Sequence, residues 1–355
     1  MKLTPRIRQE AGFAAAILLA GFLVGVINTA LGDWRLDPWP ILRSGINGFF
    51  IALACVVVDV TLLRRLGRLP FALVLFARTV VFAVVGTAVI VVSRLVFAGP
   101  GGVAGLIAHP RQIIAAVLVT LAVAFFASLF VSLRLTVGKQ AFLYLLLGRY
   151  RRPVEETRMF MFVDIASSTA LAEKIGHVQF HQLIHAFWCD VSDAILAAKG
   201  EVYKYVGDGA ILTWNLAGGN KGDPWLECFF AMRDSLERKR GEYLRKFGAF
   251  PRFRASLHCG KVVAGEIGDS KREVAFLGDT VNTAERILEA CKTSDRDFLV
   301  SEDAIRKTSD IQRYRIESIP GAVLRGKEER VTLYAVGRDG VNLGNIREEK
   351  RHEFA

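Results

Sequence analysis

Four apolar stretches, residues 12–31, 41–62, 70–97 and 111–136, constrain this chain more than any other feature. Each reaches the roughly 20 residues that a helix needs to cross a hydrocarbon core about 30 Å thick. The start "MKLTPRIRQE" looks like the charged end of a signal peptide. The run behind it has span length and three more follow, so a retained anchor is expected. Asp59 and Arg78 fall inside the second and third stretches, where isolated charge is costly. The cheaper reading puts both near the cytoplasmic edge with Arg78 snorkelling outward; the other makes them a buried pair.

Charge follows the same division. Residues 1–152 hold 16 Lys/Arg against 4 Asp/Glu, and residues 153–355 hold 30 against 31. The net charge of +11 therefore belongs to the apolar half and is no nucleic-acid footprint. It sits in alternate connections: Lys2, Arg6 and Arg8, then Arg64, Arg65 and Arg68, then Arg134, Lys139, Arg149, Arg151 and Arg152. "GDWRLDPWP" is net acidic and "FAGPGGVAGLIAHP" carries no Lys, Arg, Asp or Glu. The positive-inside rule then predicts a multi-pass protein of the cell (inner) membrane. Both the N-terminus and the C-terminal half would be cytoplasmic, with Trp34 and Trp39 at the outer interface. Five cysteines without paired spacing read as reduced thiols.

The domains expected are a membrane domain at 1–136, a linker at 137–154 containing "GRYRRPVEET", a globular domain at 155–336, and a tail at 337–355. Within the third, apolar strands "MFMFV", "EVYKYV", "AILTW", "RASLHC", "VVAGEI" and "EVAFL" alternate with longer helical runs. That mixture predicts an α+β sandwich, one sheet with helices on its face.

"MFMFVDIASSTALAEKIG" (159–176) stops an apolar strand on Asp164 and follows it with small residues. "EVYKYVGDGAILTW" sets Asp208 at a hairpin tip, where Asp-Gly alone is an ordinary turn. Two carboxylates at adjacent strand ends can hold two divalent cations about 4 Å apart, a clamp for phosphoryl chemistry. The "ASST" that follows leaves room for phosphates at a helix start. In "FLGDTVNTAERI", Thr280 or Asp279 can cap a helix on which Asn282 and Arg286 share a face. Such a pair suits a ribose oxygen and a phosphate oxygen gaining charge.

Together "FVDIASST", "KYVGDG", "GEIG", "GDTVNTAERI" and "LRGKEERVTLY" make residues 155 to 336 resemble the class III nucleotidyl cyclases. The resemblance implies a ferredoxin-like α/β sandwich. It also implies that Asp164, Asp208 and the backbone carbonyl of Ile165 bind two divalent cations, Mg2+ or Mn2+. Lys204 matches the lysine that reads the purine edge and implies ATP over GTP. Asn282 matches the ribose-orienting residue and Arg286 the one that stabilises pentavalent phosphorus. Two positions depart from the pattern. Ala275 stands where a polar partner of the base-reading lysine is usual. Arg325 replaces the triphosphate-binding lysine, with Lys327 in reserve. The resemblance further implies a homodimer with two shared sites, making 3′,5′-cyclic AMP and pyrophosphate from ATP without a protein nucleophile. The alternatives are a guanylate cyclase, opposed by Lys204, a receptor or scaffold with an inactive domain, and a transporter, opposed by the few polar residues in the spans.

His177, His181, His185 and Cys189 recur every fourth residue. They span about 18 Å of helix, so they cannot share one ion. "ERKRGEYLRK" reads as a solvated face.

Overall fold

The computed structural model describes residues 5–32, 38–61, 69–108, 110–137, 144, 148–218, 224–270, 272–309, 311–319 and 331–338. It divides into two compact units, Met1–Leu146 and Leu147–Ala355.

The long helices described in the first unit are α1 (Pro5–Gly32), α2 (Pro38–Thr61), α3 (Phe71–Ala108) and α4 (Pro110–Val137). The third apolar stretch continues as helix through Pro100, beyond the end expected near residue 97. The break comes at the second proline. Pro110 opens α4, where its missing N–H costs nothing. α1 and α2 cross where small residues let backbones touch. A Cβ on Gly25 would strike the Ser44 carbonyl oxygen, and one on Gly48 the Gly21 carbonyl oxygen. Large apolar side chains, among them Leu19, Phe50, Phe76 and Phe126, face outward. Among the described residues two windows, Ile41–Thr61 and Phe71–Val92, are long and apolar enough to cross a membrane. The corresponding parts of α1 and α4, Ala11–Ile27 and Leu121–Leu133, are shorter. Trp34 and the Arg64, Arg65 and Arg68 cluster lie outside the described residues.

The snorkelling expected of Arg78 is not what the structure has. Arg78 is 4% exposed, with Nε 2.9 Å from Asp59 Oδ1. Those two atoms are not aligned as a hydrogen bond, so the attraction is Coulombic. Its Nη1 donates to Ser132 Oγ at 3.1 Å, which ties α2, α3 and α4 together. Once a charged pair is enclosed by apolar helices, mutual neutralisation outweighs reaching for a distant interface.

The second unit is built on a mixed eight-stranded sheet in the order β2-β3-β1-β4-β6-β8-β7, with β5 paired to β4 outside that path. The strands are β1 (Val154–Ile165), β2 (Glu201–Val206), β3 (Gly209–Asn215), β4 (Phe253–Ile267), β5 (Glu273–Leu277), β6 (Phe298–Ser301), β7 (Tyr314–Ile319) and β8 (Leu333–Arg338). All pairings are antiparallel except β4 with β6. The helices are α5 (Ser168–Ile175), α6 (His177–Ala197), α7 (Pro224–Glu237), α8 (Arg240–Phe247), α9 (Asp279–Ser294) and α10 (Glu302–Arg306).

β1 runs through the middle of this sheet, which is why its apolar run is continuous and does not alternate. Met159, Met161 and Val163 join the core with Leu183, Phe187 and Val191 of α6. Phe160, pointing the other way by the period of two, meets Phe276 of β5 edge-on. "RASLHC" and "VVAGEI", read above as two strands, are one strand, β4. Gly260 between them marks a close approach: a Cβ there would meet the Thr280 hydroxyl. Residues 224–247 form two helices, α7 and α8. Lys239 and Tyr243 both bond to Asp190 of α6, which turns the chain back after α7.

Candidate active site

Antiparallel pairing of β1 with β3 ends at Val163 opposite Ala210. One step further along both strands sets Asp164 beside Gly209 and the tip of the β2–β3 hairpin. Gly209 has no room for a side chain, since a Cβ would run into the Val163 carbonyl oxygen. The turn is therefore pressed against the end of β1. Its first residue, Gly207, has φ 61°, and Asp208 lies outside the left-handed region, the pattern of a type II′ hairpin. Asp164 and Asp208 are thus brought together, and Ile165, 2% exposed, is the last residue of β1.

One oxygen of Asp208, Oδ2, is buried and has no hydrogen-bond donor among the described residues. Buried acceptors are nearly always satisfied, so this orphan requires explanation. Asp164 Oδ2 lies 2.8 Å from Lys292 Nζ on α9. Directly across from Asp164 in the β1–β4 ladder stands Arg254, whose Nε is also buried without a partner among the described residues. The corner thus combines two carboxylates with two cationic side chains. Its donor set fits a divalent cation: hard anionic oxygens, one of them otherwise unsatisfied. Among the described residues no group of three His, Cys, Asp or Glu side chains forms, so further ligands would come from phosphate, water and backbone. Ser167, in the loop after Asp164, has φ 55° and ψ 36°, a conformation uncommon without glycine and frequent near functional sites.

A second cluster lies along β2 and β5. Lys204 lies in β2, two residues before its end at Val206, and so stands back from the hairpin tip that carries Asp208. Its Nζ is 3.5 Å from Glu273 Oε1, with both side chains about half exposed. Ala275 is 6% exposed, two residues beyond Glu273 and opposite Gly265 in β4. Its methyl group offers no hydrogen bond.

α9 carries the third group. The capping role expected of Thr280 or Asp279 is not found: the N-cap is Gly278, without a side-chain cap bond. Thr280 instead donates to the Lys261 carbonyl at 2.6 Å, fastening the helix to β4. Asn282 is exposed and Arg286 partly so, one turn apart on one face. Arg286 makes no ion pair among the described residues. Arg286 precedes Lys292 by six residues and Asn282 precedes it by ten, about 9 and 15 Å along the axis. One copy therefore gathers the carboxylates at one corner and leaves Lys204, Ala275 and Asn282 away from it. Arg325 and Lys327 lie outside the described residues.

Sequence reasoning missed Arg254, Lys292 and Glu273. A charge in the apolar context of "RFRASLHC" hinted at Arg254, but its place opposite Asp164 depends on strand register. The histidine stripe on α6 gathers no metal site: only His185 and Cys189 approach, at 3.7 Å.

A model of the adenylate and guanylate cyclase catalytic domain matches residues 152–337. "Adenylate cyclase 2" of Rhizobium meliloti (strain 1021) is 34% identical over 199 residues, covering 56% of this chain and 55% of that protein. "Adenylate cyclase" of Anabaena cylindrica is 27% identical over 182 residues, 50% of this chain and 36% of its own. The chain thus spans about half or less of the length of these curated relatives. A bacterial light-regulated adenylyl cyclase of known structure superposes with a TM-score of 0.52 at 18% identity, covering 68% of this chain and 69% of its own, which shows the shared fold. This chain belongs to the adenylate and guanylate cyclase catalytic-domain family.

Proposed function

We propose that the protein is a membrane-anchored adenylate cyclase that converts ATP to 3′,5′-cyclic AMP and pyrophosphate at sites shared by two copies of the chain. The observation that carries the reading is the meeting of Asp164 and Asp208 at neighbouring strand ends, with a buried Asp208 oxygen left without a donor. Asp164, Asp208 and the Ile165 carbonyl would hold Mg2+ or Mn2+. What such a cation supplies is Lewis acidity toward the ribose 3′-hydroxyl and the α-phosphate oxygens.

The chain's own residues do the rest. Arg254, partly buried and directly across the β1–β4 ladder from Asp164, would present its guanidinium to the triphosphate. Asn282 orients the ribose, and Arg286 faces the phosphoryl oxygens as charge builds on them. Lys204 donates to the adenine edge, and Arg325 or Lys327 receives the triphosphate. The separation of Lys204 and Asn282 from the carboxylate corner supports completion of each site by a second copy. Exposed apolar side chains of β2, β4 and β5 (Tyr205, Val206, Val263, Ile267 and Leu277) offer a face for that partner. The outward apolar surface of α1–α4 and the placement of positive charge support a bilayer location with the catalytic unit in the cytoplasm. There the helices would raise the effective concentration of paired catalytic units.

Full-length protein in membranes, supplied with ATP or GTP and Mn2+ or Mg2+, tests this beside an Asp208→Ala control. Cyclic AMP that disappears in the control is the expected result. Cyclic GMP alone would refute the role of Lys204, and no product from either nucleotide would refute the enzyme reading.

A further inference from the structure

We propose that Arg158 and Tyr150 are positioning residues for purine recognition, setting the wall formed by Lys204 and Ala275 from behind. The proposal rests on the reading of Lys204 and Ala275 as the base-facing wall.

Arg158 has no exposed surface and lies in β1 on the side opposite the main helical core. Its Nε donates to Glu156 Oε1 at 2.5 Å, and its Nη1 approaches Thr213 Oγ1 at 3.4 Å and Glu201 Oε2 at 3.5 Å. Its Nη2 donates to the Tyr150 hydroxyl at 3.3 Å, which itself donates to Glu156. An ion pair buried this fully is seldom more stabilising than apolar residues of the same volume. Stability alone therefore gives no reason for a guanidinium here. Besides these polar partners it meets Phe276: the guanidinium carbon is 4.3 Å from that ring's centroid.

Phe276 links both parts of the wall. It follows Ala275 in β5, and its backbone N–H donates to the Tyr203 hydroxyl at 3.4 Å. The two rings pack at 4.8 Å, and Tyr203 immediately precedes Lys204. A shift of the Phe276 ring therefore moves the backbone beside Ala275 and beside Lys204 together.

The first residues of the catalytic unit brace the same place. Tyr150 is 1% exposed, its ring meets Phe276 edge-on, and its carbonyl accepts the Glu266 N–H at 2.9 Å. Pro153 lies within 3.5–3.6 Å of where a Cβ on Gly265 would stand, and Gly265 is the cross-strand partner of Ala275. With only a methyl group at 275, base selection depends on where Lys204 and the β5 backbone are held. That makes the support behind them decisive.

Tyr150→Phe in the full-length chain removes one hydroxyl and keeps the ring. The expected result is KM for ATP raised about five-fold, the loss of one hydrogen bond to a charged network, with kcat nearly unchanged. The preference for ATP over GTP should fall, and losing the buried hydroxyl should lower the melting temperature by about 2–4 °C. Arg158→Lys, which keeps the charge and loses the fork, should move the same ratio. Binding of fluorescent ATP and GTP analogues reads the effect without turnover. A variant with native KM and native ATP:GTP ratio overturns the proposal. So does a parallel loss of kcat and melting temperature with the ratio intact. A native chain that binds neither analogue overturns the reading of the wall and this proposal with it, whereas native binding with an unaltered variant overturns this proposal alone.

Discussion

Replacing Asp208 by Asn should stabilise the protein while abolishing its chemistry. The side chain sits at a hairpin tip that Asn tolerates as well as Asp. Its Oδ2 is buried without a donor. An unsatisfied buried polar group costs about 1–3 kcal/mol, and a charged one more. Because the residue as a whole is only partly buried, the lower figure applies, and the neutral amide should recover about 1 kcal/mol. For the unit Leu147–Ala355, that shifts the melting temperature upward by about 2–4 °C. Turnover should fall at least about 100-fold, the scale of losing one preorganised electrostatic group. Thermal unfolding followed by near-ultraviolet circular dichroism reads the first effect, and chromatographic assay of cyclic AMP reads the second. A third readout joins them: saturating Mn2+ should raise the melting point of the native chain and leave that of the variant unmoved. A destabilised variant that still cyclises ATP would refute the reasoning.

Three further outcomes are expected. Gly209→Ala drives a Cβ into the Val163 carbonyl oxygen and should destabilise by about 1–3 kcal/mol, measured by urea unfolding. Lys292→Met removes the cation from Asp164 and should tighten Mn2+ binding about three-fold by calorimetry, the modest size reflecting a half-exposed pair. Among the cysteines of the catalytic unit, exposed Cys189 should react with iodoacetamide at pH 8 in the native protein. Burial pushes the Cys228, Cys259 and Cys291 thiols up to about 12, 11 and 12, so they should label only after unfolding, which peptide mapping reads.

The elements that sequence predicts well here are those whose signal is local. The apolar stretches mark the four helices, and "GDG" between alternating apolar residues marks a two-residue hairpin with Asp208 at its tip. Where a non-local contact decides, local reading fails. Gly260 looks like a strand break and is instead the point where Thr280 crosses β4. Thr280 looks like a helix cap and is spent on the Lys261 carbonyl. Arg78 looks like a snorkelling side chain because the sequence does not show that Asp59 and Ser132 face it from other helices.

The same division governs the site. The sequence by itself determined which chemistry-bearing side chains exist and that two aspartates end apolar strands, because strand ends and turns are written in a few adjacent residues. Only the tertiary structure decided that β1 lies between β3 and β4, which sets Asp164 beside the hairpin of Asp208 and across from Arg254. It also decided that Lys204 and Asn282 stand apart from that corner, and that Tyr150 and Arg158 converge on Phe276. Strand order and register are collective properties, selected by the burial of whole faces, and no single stretch of residues encodes them.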